Sequence, residues 1–182
     1  MIPRLTVEQF EFFVQPTRTR FPFRYGIASM TEVPHLFVRA TIVVDGKSFI
    51  GLASEGLPPK WFTKNPGTTF DQDLPEMLDQ VRNATTIATG IGRTARTFFE
   101  LWQEVYRAQN KWAAARSMAP LLANLGVSLV ERAVLDALCR YIGRPLHELV
   151  RENQLGLKLG DVYSELAGTE PRDWLPKQPS KS

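Results

Sequence analysis

The chain has 182 residues, of which 43% are hydrophobic and 23% charged, the composition of an ordinary soluble globular protein. That length is enough for one domain with its own core, or for one domain and a tail. The formal charge is +3, and lysine and arginine are scattered along the chain, so no basic arm for nucleic acid is indicated. The single cysteine excludes a disulfide within the chain.

The first residues, MIPRLTVEQFEFF, lack the apolar centre of a signal peptide. No later apolar run is long enough to cross a bilayer. Together with the lone cysteine, Cys139, these features give no sign of an oxidising compartment. We therefore expect a cytoplasmic protein without a membrane partner.

Three stretches near the N-terminus have the pattern of β-strands. In the first, Gln9 to Val14, mainly apolar and polar positions alternate, and we expect Pro16 to end it. The second, Leu36 to Val44, is rich in β-branched residues. Asp45-Gly46 is a two-residue hairpin signal that leads into the third strand, Lys47 to Ser54. The sequence therefore predicts a sheet of three strands, at least two of them antiparallel.

Two long loops are predicted around these strands. The first, Thr17 to Pro34, also contains Pro22 and Gly26, which oppose regular structure. The second, Ser54 to Thr69, reads SEGLPPKWFTKNPGTT and is rich in proline and glycine. Both are therefore expected to be irregular.

The C-terminal two thirds have helical patterns. Apolar residues recur at helical spacing from Thr69 to about Thr89, with Pro75 inside the window. Thr97 with Glu100 fits a capping box that begins the next helix. A short, imperfect helix is predicted from Asn110 to Ala119.

The strongest helical pattern lies between Ser128 and Leu149. Ser128 with Glu131 fits a capping box, although the apolar pattern could begin a few residues earlier. Gly143 ends the helix before a second, short helix from Leu146 to Arg151. Beyond Arg151 the sequence predicts an extended tail. Six residues share one apolar face of the main helix: Val127, Val130, Val134, Ala137, Leu138 and Tyr141.

The order of elements is sheet first and helices afterwards. This order predicts an α+β fold in which the sheet and the helices are segregated along the chain.

The strongest helical stretch also carries a family pattern, A-x-x-D-A-L followed by G-x-P-L-x-E-L. It resembles the last helices of the N-terminal capping domain in the enolase superfamily, in the branch with mandelate racemase and muconate-lactonizing enzymes. The resemblance covers about residues 5 to 155, which implies a capping domain at 1–155 and a tail at 156–182. It also implies the fold of that domain, a three-stranded antiparallel β-meander followed by a helical bundle. The residues that carry it are Ala133, Asp136, Ala137, Leu138, Gly143, Pro145, Leu146, Glu148 and Leu149.

The resemblance implies a catalytic partner that this chain does not contain. In the family, a (β/α)₈ barrel of about 250 residues follows the cap, holds Mg²⁺ and removes the proton beside a carboxylate. The tail would lead into that barrel. The complete enzyme would therefore be a racemase, cycloisomerase or acid-sugar dehydratase acting on a small carboxylate substrate. No catalytic and no metal-binding residue is carried over to this chain, which we expect to be inactive alone.

The resemblance also implies that two loops of the cap contact the substrate. They correspond to Thr17 through Pro34 and Glu55 through Thr68. Their side chains could supply apolar walls and a cation for an acidic substrate, although such residues more often pack against their own domain. The candidates are Phe23, Arg24, Tyr25, Ile27, Met30, Leu57, Lys60 and Trp61.

The other polar residues indicate structural roles. His35 and His147 are far apart in sequence and lack further ligands at zinc spacing. Asp136 is expected to pair with Arg132 or Arg140 along its helix.

Two further hypotheses remain open. One is a free-standing α+β interaction module without catalytic activity. The other is a small basic nucleic-acid-binding domain, which the scattered charges disfavour. Both the capping domain and the interaction module would leave apolar surface uncovered, so either predicts a homo-oligomer.

Overall fold

The computed structural model describes residues 1–26 and 28–177, and it contains three strands followed by helices. The confirmed fold class is α+β, with a three-stranded antiparallel sheet in the order β1-β2-β3. The strands are β1 (Leu5–Tyr25), β2 (Ala28–Val44) and β3 (Lys47–Gly56). The helices are α1 (Pro59–Phe62), α2 (Phe70–Ile91), α3 (Phe98–Ala114), α4 (Pro120–Ile142), α5 (Leu146–Arg151) and α6 (Pro171–Trp174).

The first two strands form a much longer hairpin than the sequence predicts. Pro16 does not end β1, and the expected loop from Thr17 to Pro34 is mostly paired strand. Pro16 lies directly opposite Pro34, at a level that β3 does not reach because its pairing with β2 begins at His35. Each strand therefore has only one neighbour there, and a missing N–H can face outward without breaking the ladder.

The turn between β2 and β3 agrees with its sequence signal. Asp45 and Gly46 both have positive φ angles, 50° and 73°, as a two-residue hairpin turn requires. β3 then pairs with β2 from Lys47 to Gly56, two residues beyond the predicted end.

The helices cover one face of the sheet and form one core with it. Val38, Ala40 and Ile42 point from β2 towards the helices and are fully buried. Helix α4 lies at the centre, against β2 and β3 on one side and α2 and α3 on the other. Five of its six predicted face residues are buried, and only Tyr141 is half-buried.

Two helix predictions differ from the structure. Helix α4 begins at Pro120 and not at Ser128, because proline is suited to the first helical position. The predicted helix from Asn110 to Ala119 does not exist separately, since α3 continues to Ala114 and Ser117 turns the chain with a φ of 54°.

Two capping predictions are confirmed. Helix α3 begins with the Thr97–Glu100 capping box. Helix α4 ends at Gly143, whose φ of 71° is left-handed.

The segment after α5 is more structured than the predicted extended tail. It contains 3₁₀ turns at Leu159–Asp161 and Ser164–Leu166, and then α6. Leu155 anchors its start, because its side chain is buried and its carbonyl accepts a hydrogen bond from the backbone N–H of Phe99.

Candidate functional site

The long hairpin and the segment that follows β3 enclose an open cleft of about 1040 Å³. One wall is the distal hairpin, the part of the β1–β2 hairpin made of residues 14–26 and 28–34. The other wall is formed by Lys60, the loop before α2 and the first turn of α2. These are the two stretches that the family resemblance assigns to substrate contact. The fold therefore brings the two predicted capping stretches together.

The distal hairpin is held in register by polar contacts between its strands. Arg18 and Glu32 lie opposite each other and form an ion pair, and Thr17 donates from Oγ1 to the carbonyl of Val33 at 2.7 Å. Between Arg18 and Phe23 the register shifts, so that β1 bulges near the tip. The cleft wall is thus an ordered strand pair and not an irregular loop.

Lys60 is held by a buried ion pair. Its Nζ lies 2.6 Å from Oδ2 of Asp73, and the two side chains are only 13% and 5% exposed. The same ammonium donates to the carbonyl of Asn65 at 2.7 Å and to Oγ1 of Thr68 at 2.8 Å. These contacts fix the loop before α2 against the first turn of that helix.

Three aromatic rings connect the hairpin tip to α1. The centroids of Phe23 and Tyr25 are 5.9 Å apart, and those of Tyr25 and Trp61 are 5.6 Å apart. Burial raises the pKa of Tyr25, which also lines the cleft. Offset and tilted rings at such distances attract each other, so this cluster fixes the tip of the hairpin to the opposite wall.

The predicted site residues therefore have different positions. Tyr25, Met30 and Lys60 line the cleft. Phe23 and Trp61 are about half exposed and pack in the aromatic cluster.

Two of the remaining candidates, Leu57 and Arg24, do not contribute to the cleft walls. Leu57 is 1% exposed and belongs to the core, so it leaves no surface for a ligand. Arg24 is exposed and alternates to the face opposite Tyr25. Ile27 lies outside the described residues.

The cleft is also lined by Val14, Pro16, Pro34 and Phe70, which the sequence did not indicate as site residues. Only Pro34 falls in a predicted loop, whereas Val14 ends a predicted strand and Phe70 begins a predicted helix. Extending the alternation of the first strand past Pro16 would have placed Val14 and Pro16 on one face.

Within 1–26 and 28–177, no group of three or more His, Cys, Asp or Glu residues is arranged to hold a metal ion. None of the helices in the described part of the chain is long and apolar enough to span a membrane.

No protein-family model matches the chain, and no curated protein matches it in sequence. Solved structures do share its fold. A mandelate racemase/muconate lactonizing enzyme-like protein from Rubrobacter xylanophilus is 17% identical, with a TM-score of 0.50, over 80% of this chain and 33% of its own. An enolase from alpha proteobacterium bal199, solved with bound magnesium, is 18% identical, with a TM-score of 0.53, over 80% of this chain and 34% of its own.

A third structure is an enolase from Bradyrhizobium complexed with magnesium and mandelic acid. It is 15% identical, with a TM-score of 0.50, over 82% of this chain and 35% of its own. The chain thus spans about a third of the length of each of these proteins. The chain therefore has the fold of the N-terminal capping domain of enolase-superfamily proteins of the mandelate racemase/muconate lactonizing enzyme type.

Proposed function

We propose that this chain is a substrate cap that works with a (β/α)₈ barrel outside the 182 residues. The observation that carries the proposal is the cleft between the distal hairpin and the loop before α2. It lies on the two stretches that the family resemblance assigns to substrate contact, in a fold that covers a third of much longer proteins. A cap of this kind excludes water from the reacting centre and contacts the variable end of the substrate.

The proposed reaction of the cap and barrel together is removal of the proton beside a carboxylate, leading to racemisation, cycloisomerisation or dehydration. Two of the similar structures contain magnesium. The described residues of this chain offer no cluster of ligands for that ion. A bound Mg²⁺ would therefore be held by the barrel, where it would stabilise the negative charge that develops on the substrate. The proposed contribution of this chain is binding and enclosure alone.

The deciding experiment begins with the coding DNA beyond the codon for Ser182. An open frame that continues into βα repeats supports the cap. The longer polypeptide should then bind Mg²⁺ and turn over a carboxylate substrate in racemisation or acid-sugar dehydration assays, with the 182-residue chain as the inactive control. A longer polypeptide with no affinity for Mg²⁺ would contradict the proposal, and so would turnover by the 182-residue chain alone.

A second candidate function is a free-standing interaction module. Phe13, Ile50 and Leu52 lie on the sheet face away from the helices and are each 47–49% exposed. An exposed apolar face favours association with another protein or with a second copy. A stop codon directly after Ser182, together with self-association of the purified chain, would favour this function over the cap.

A further inference from the structure

The charges that line the cleft neutralise one another. The cationic side chains in its lining are Arg18 and Lys60, and the acidic ones are Glu32 and Asp71. Arg18 forms an ion pair with Glu32, so the pair has no net charge. Asp71 lies in the first turn of α2, where the helix dipole favours a negative charge. The cleft therefore has no surplus of positive charge.

Lys60 has no donor left for a ligand. An ammonium group has three N–H donors, and this one has three acceptors within 2.8 Å: Oδ2 of Asp73, the carbonyl of Asn65 and Oγ1 of Thr68. An anion that recruited Lys60 would have to displace one of these three acceptors and would then lie close to the carboxylate of Asp73, which repels it. If it displaced Asp73 itself, which is 5% exposed, that carboxylate would be left buried without its partner. Breaking a buried ion pair in this way is strongly unfavourable.

The apolar part of the cleft surface is somewhat larger than the polar part. Proline rings come from both walls, at Pro16 and Pro34 on the hairpin and at Pro66 on the loop before α2. Met30 and Phe70 add a flexible thioether and an aromatic ring. Polar groups in an apolar pocket orient the ligand, and here the uncharged ones are all hydroxyls, so they bring no charge. They belong to Thr17, Tyr25, Ser29, Thr31, Thr68 and Thr69.

We propose that this cleft accepts an uncharged, apolar group, such as an aromatic ring or an alkyl chain, and rejects a carboxylate or phosphate at the same place. The binding of an apolar group in the cleft does not depend on the proposed function. Only the statement that this group is the distal end of a substrate rests on the proposed function. It replaces the expectation that Lys60 supplies a cation for an acidic substrate, because Asp73 already neutralises that lysine.

The test uses NMR on the isolated chain, since weak binding of small probes is measurable there. Benzyl alcohol represents the apolar class and succinate the anionic class. Benzyl alcohol should shift the methyl resonance of Met30 and the amide of Phe70, and its apparent Kd should be at least about tenfold lower than that of succinate. Met30→Ala should weaken benzyl alcohol binding, whereas Phe13→Ala, on the opposite face of the sheet, should leave it unchanged.

Removal of the Asp73 charge should create the anion site that the wild-type chain lacks. Asp73→Asn removes the partner of Lys60, and the uncompensated ammonium should bind succinate in a manner that weakens with added salt. The double variant Lys60→Met/Asp73→Asn should lose that binding. If Asp73→Asn does not fold, Met30→Arg serves the same purpose, because it adds a cation at a half-buried position without breaking the ion pair.

Two outcomes would overturn the inference: succinate that binds the wild-type cleft as tightly as benzyl alcohol, or no shift of cleft resonances with either probe. Both are independent of the proposed function. Selective binding of benzyl alcohol would stand even if a longer polypeptide lacked Mg²⁺-dependent activity. Conversely, an active longer polypeptide whose cleft binds succinate would retain the proposed function and lose this inference.

Discussion

The carboxylate of Asp136 in α4 accepts a hydrogen bond from the backbone N–H of Leu52 at 2.9 Å, although 84 residues separate them. One turn earlier in α4, Arg132 donates from Nη1 to the carbonyl of Ser54 at 2.9 Å. Leu52 and Ser54 belong to β3, which forms an edge of the sheet. Two side chains of one helix therefore satisfy backbone groups that an edge strand would otherwise leave unpaired.

Replacing Asp136 by alanine should therefore destabilise the fold by about 1–2 kcal/mol, because the Leu52 N–H loses its acceptor. Asp136 also pairs with Arg140 at 3.0 Å, as expected from the sequence, but Arg140 is 58% exposed and such surface pairs contribute less than about 0.5 kcal/mol. Arg140→Ala is therefore the matched control. Urea denaturation measures both variants, and hydrogen exchange at Leu52 should accelerate only in Asp136→Ala. Equal losses of stability in the two variants would mean that Asp136 stabilises the fold through its ion pair with Arg140 and not through its contact with β3.

Gly51 sets the distance between β3 and α4. A Cβ built on Gly51 would lie 2.1 Å from the carbonyl oxygen of Ala133 and 2.3 Å from the backbone nitrogen of Ala137. Because both neighbours are backbone atoms, Gly51→Ala must push the helix away from the strand, and we expect a loss of about 3 kcal/mol in urea denaturation. Gly90→Ala provides the control, since a Cβ there meets nothing within 4 Å and alanine favours the helix by about 0.5 kcal/mol. A small loss of stability in Gly51→Ala would show that α4 can shift away from β3 at little cost in free energy.

The sequence predicted the helices better than the hairpin, for a physical reason. Helical periodicity is a local signal, and α2 and α3 begin within a residue or two of the predicted positions. Whether a strand tolerates proline depends on how many neighbours it has, which is a property of the assembled sheet. The sequence alone therefore predicts that Pro16 and Pro34 interrupt the strands, although they lie paired on strands with a free side.

The two capping-box patterns show that a local sequence signal for a helix start depends on the chain that precedes it. Thr97 with Glu100 begins α3 as predicted, because the chain before Thr97 turns and supplies no earlier helix. Ser128 with Glu131 has the same spacing, yet both lie inside α4, which begins at Pro120. The pattern matters only where the helix has no alternative start upstream.

The spacing of residues in the sequence could not predict that the cleft has no free positive charge. Lys60 and Asp73 lie on different helices, and no local pattern indicates that they form a buried ion pair. The sequence assigned two stretches to substrate contact, and the fold places both beside one cleft, but the sequence could not indicate which side chains remain available to a ligand.

Glu131 should make the fold less stable as pH rises. Burial raises its pKa in the folded state, opposed by Trp102 and Arg132. The folded state therefore binds the proton more tightly than the unfolded chain, and stability declines from the unfolded-state pKa up to the raised folded-state pKa. Glu131→Gln should be close to the wild type in acid and more stable than it at neutral pH, as measured by urea denaturation across a pH series.

Glu100 provides the control of opposite sign. Its pKa is lowered, first by the hydrogen bond from the backbone N–H of Thr97, so its contribution is present above the unfolded-state pKa and is lost as pH falls. Glu100→Gln keeps a residue suited to the capping box but removes the charge. It should therefore be less stable than the wild type at neutral pH and approach it in acid. Parallel pH profiles for the two variants would contradict both assignments.

Gln109 connects three helices from a fully buried position in α3. Its Nε2 lies 3.1 Å from Oε1 of Gln80 in α2 and 3.3 Å from the carbonyl of Ala123 in α4, and its Oε1 accepts from Asn83 at 2.7 Å. Gln109→Leu keeps a similar volume but leaves buried donors and acceptors unpaired, so it should cost about 2–3 kcal/mol in urea denaturation. Gln103→Leu, at a half-buried position of the same helix, should change stability by less than about 0.5 kcal/mol. If Gln109→Leu leaves the free energy of unfolding unchanged, water or rearranged neighbours satisfy the remaining polar groups, and the hydrogen bonds of Gln109 do not stabilise the bundle.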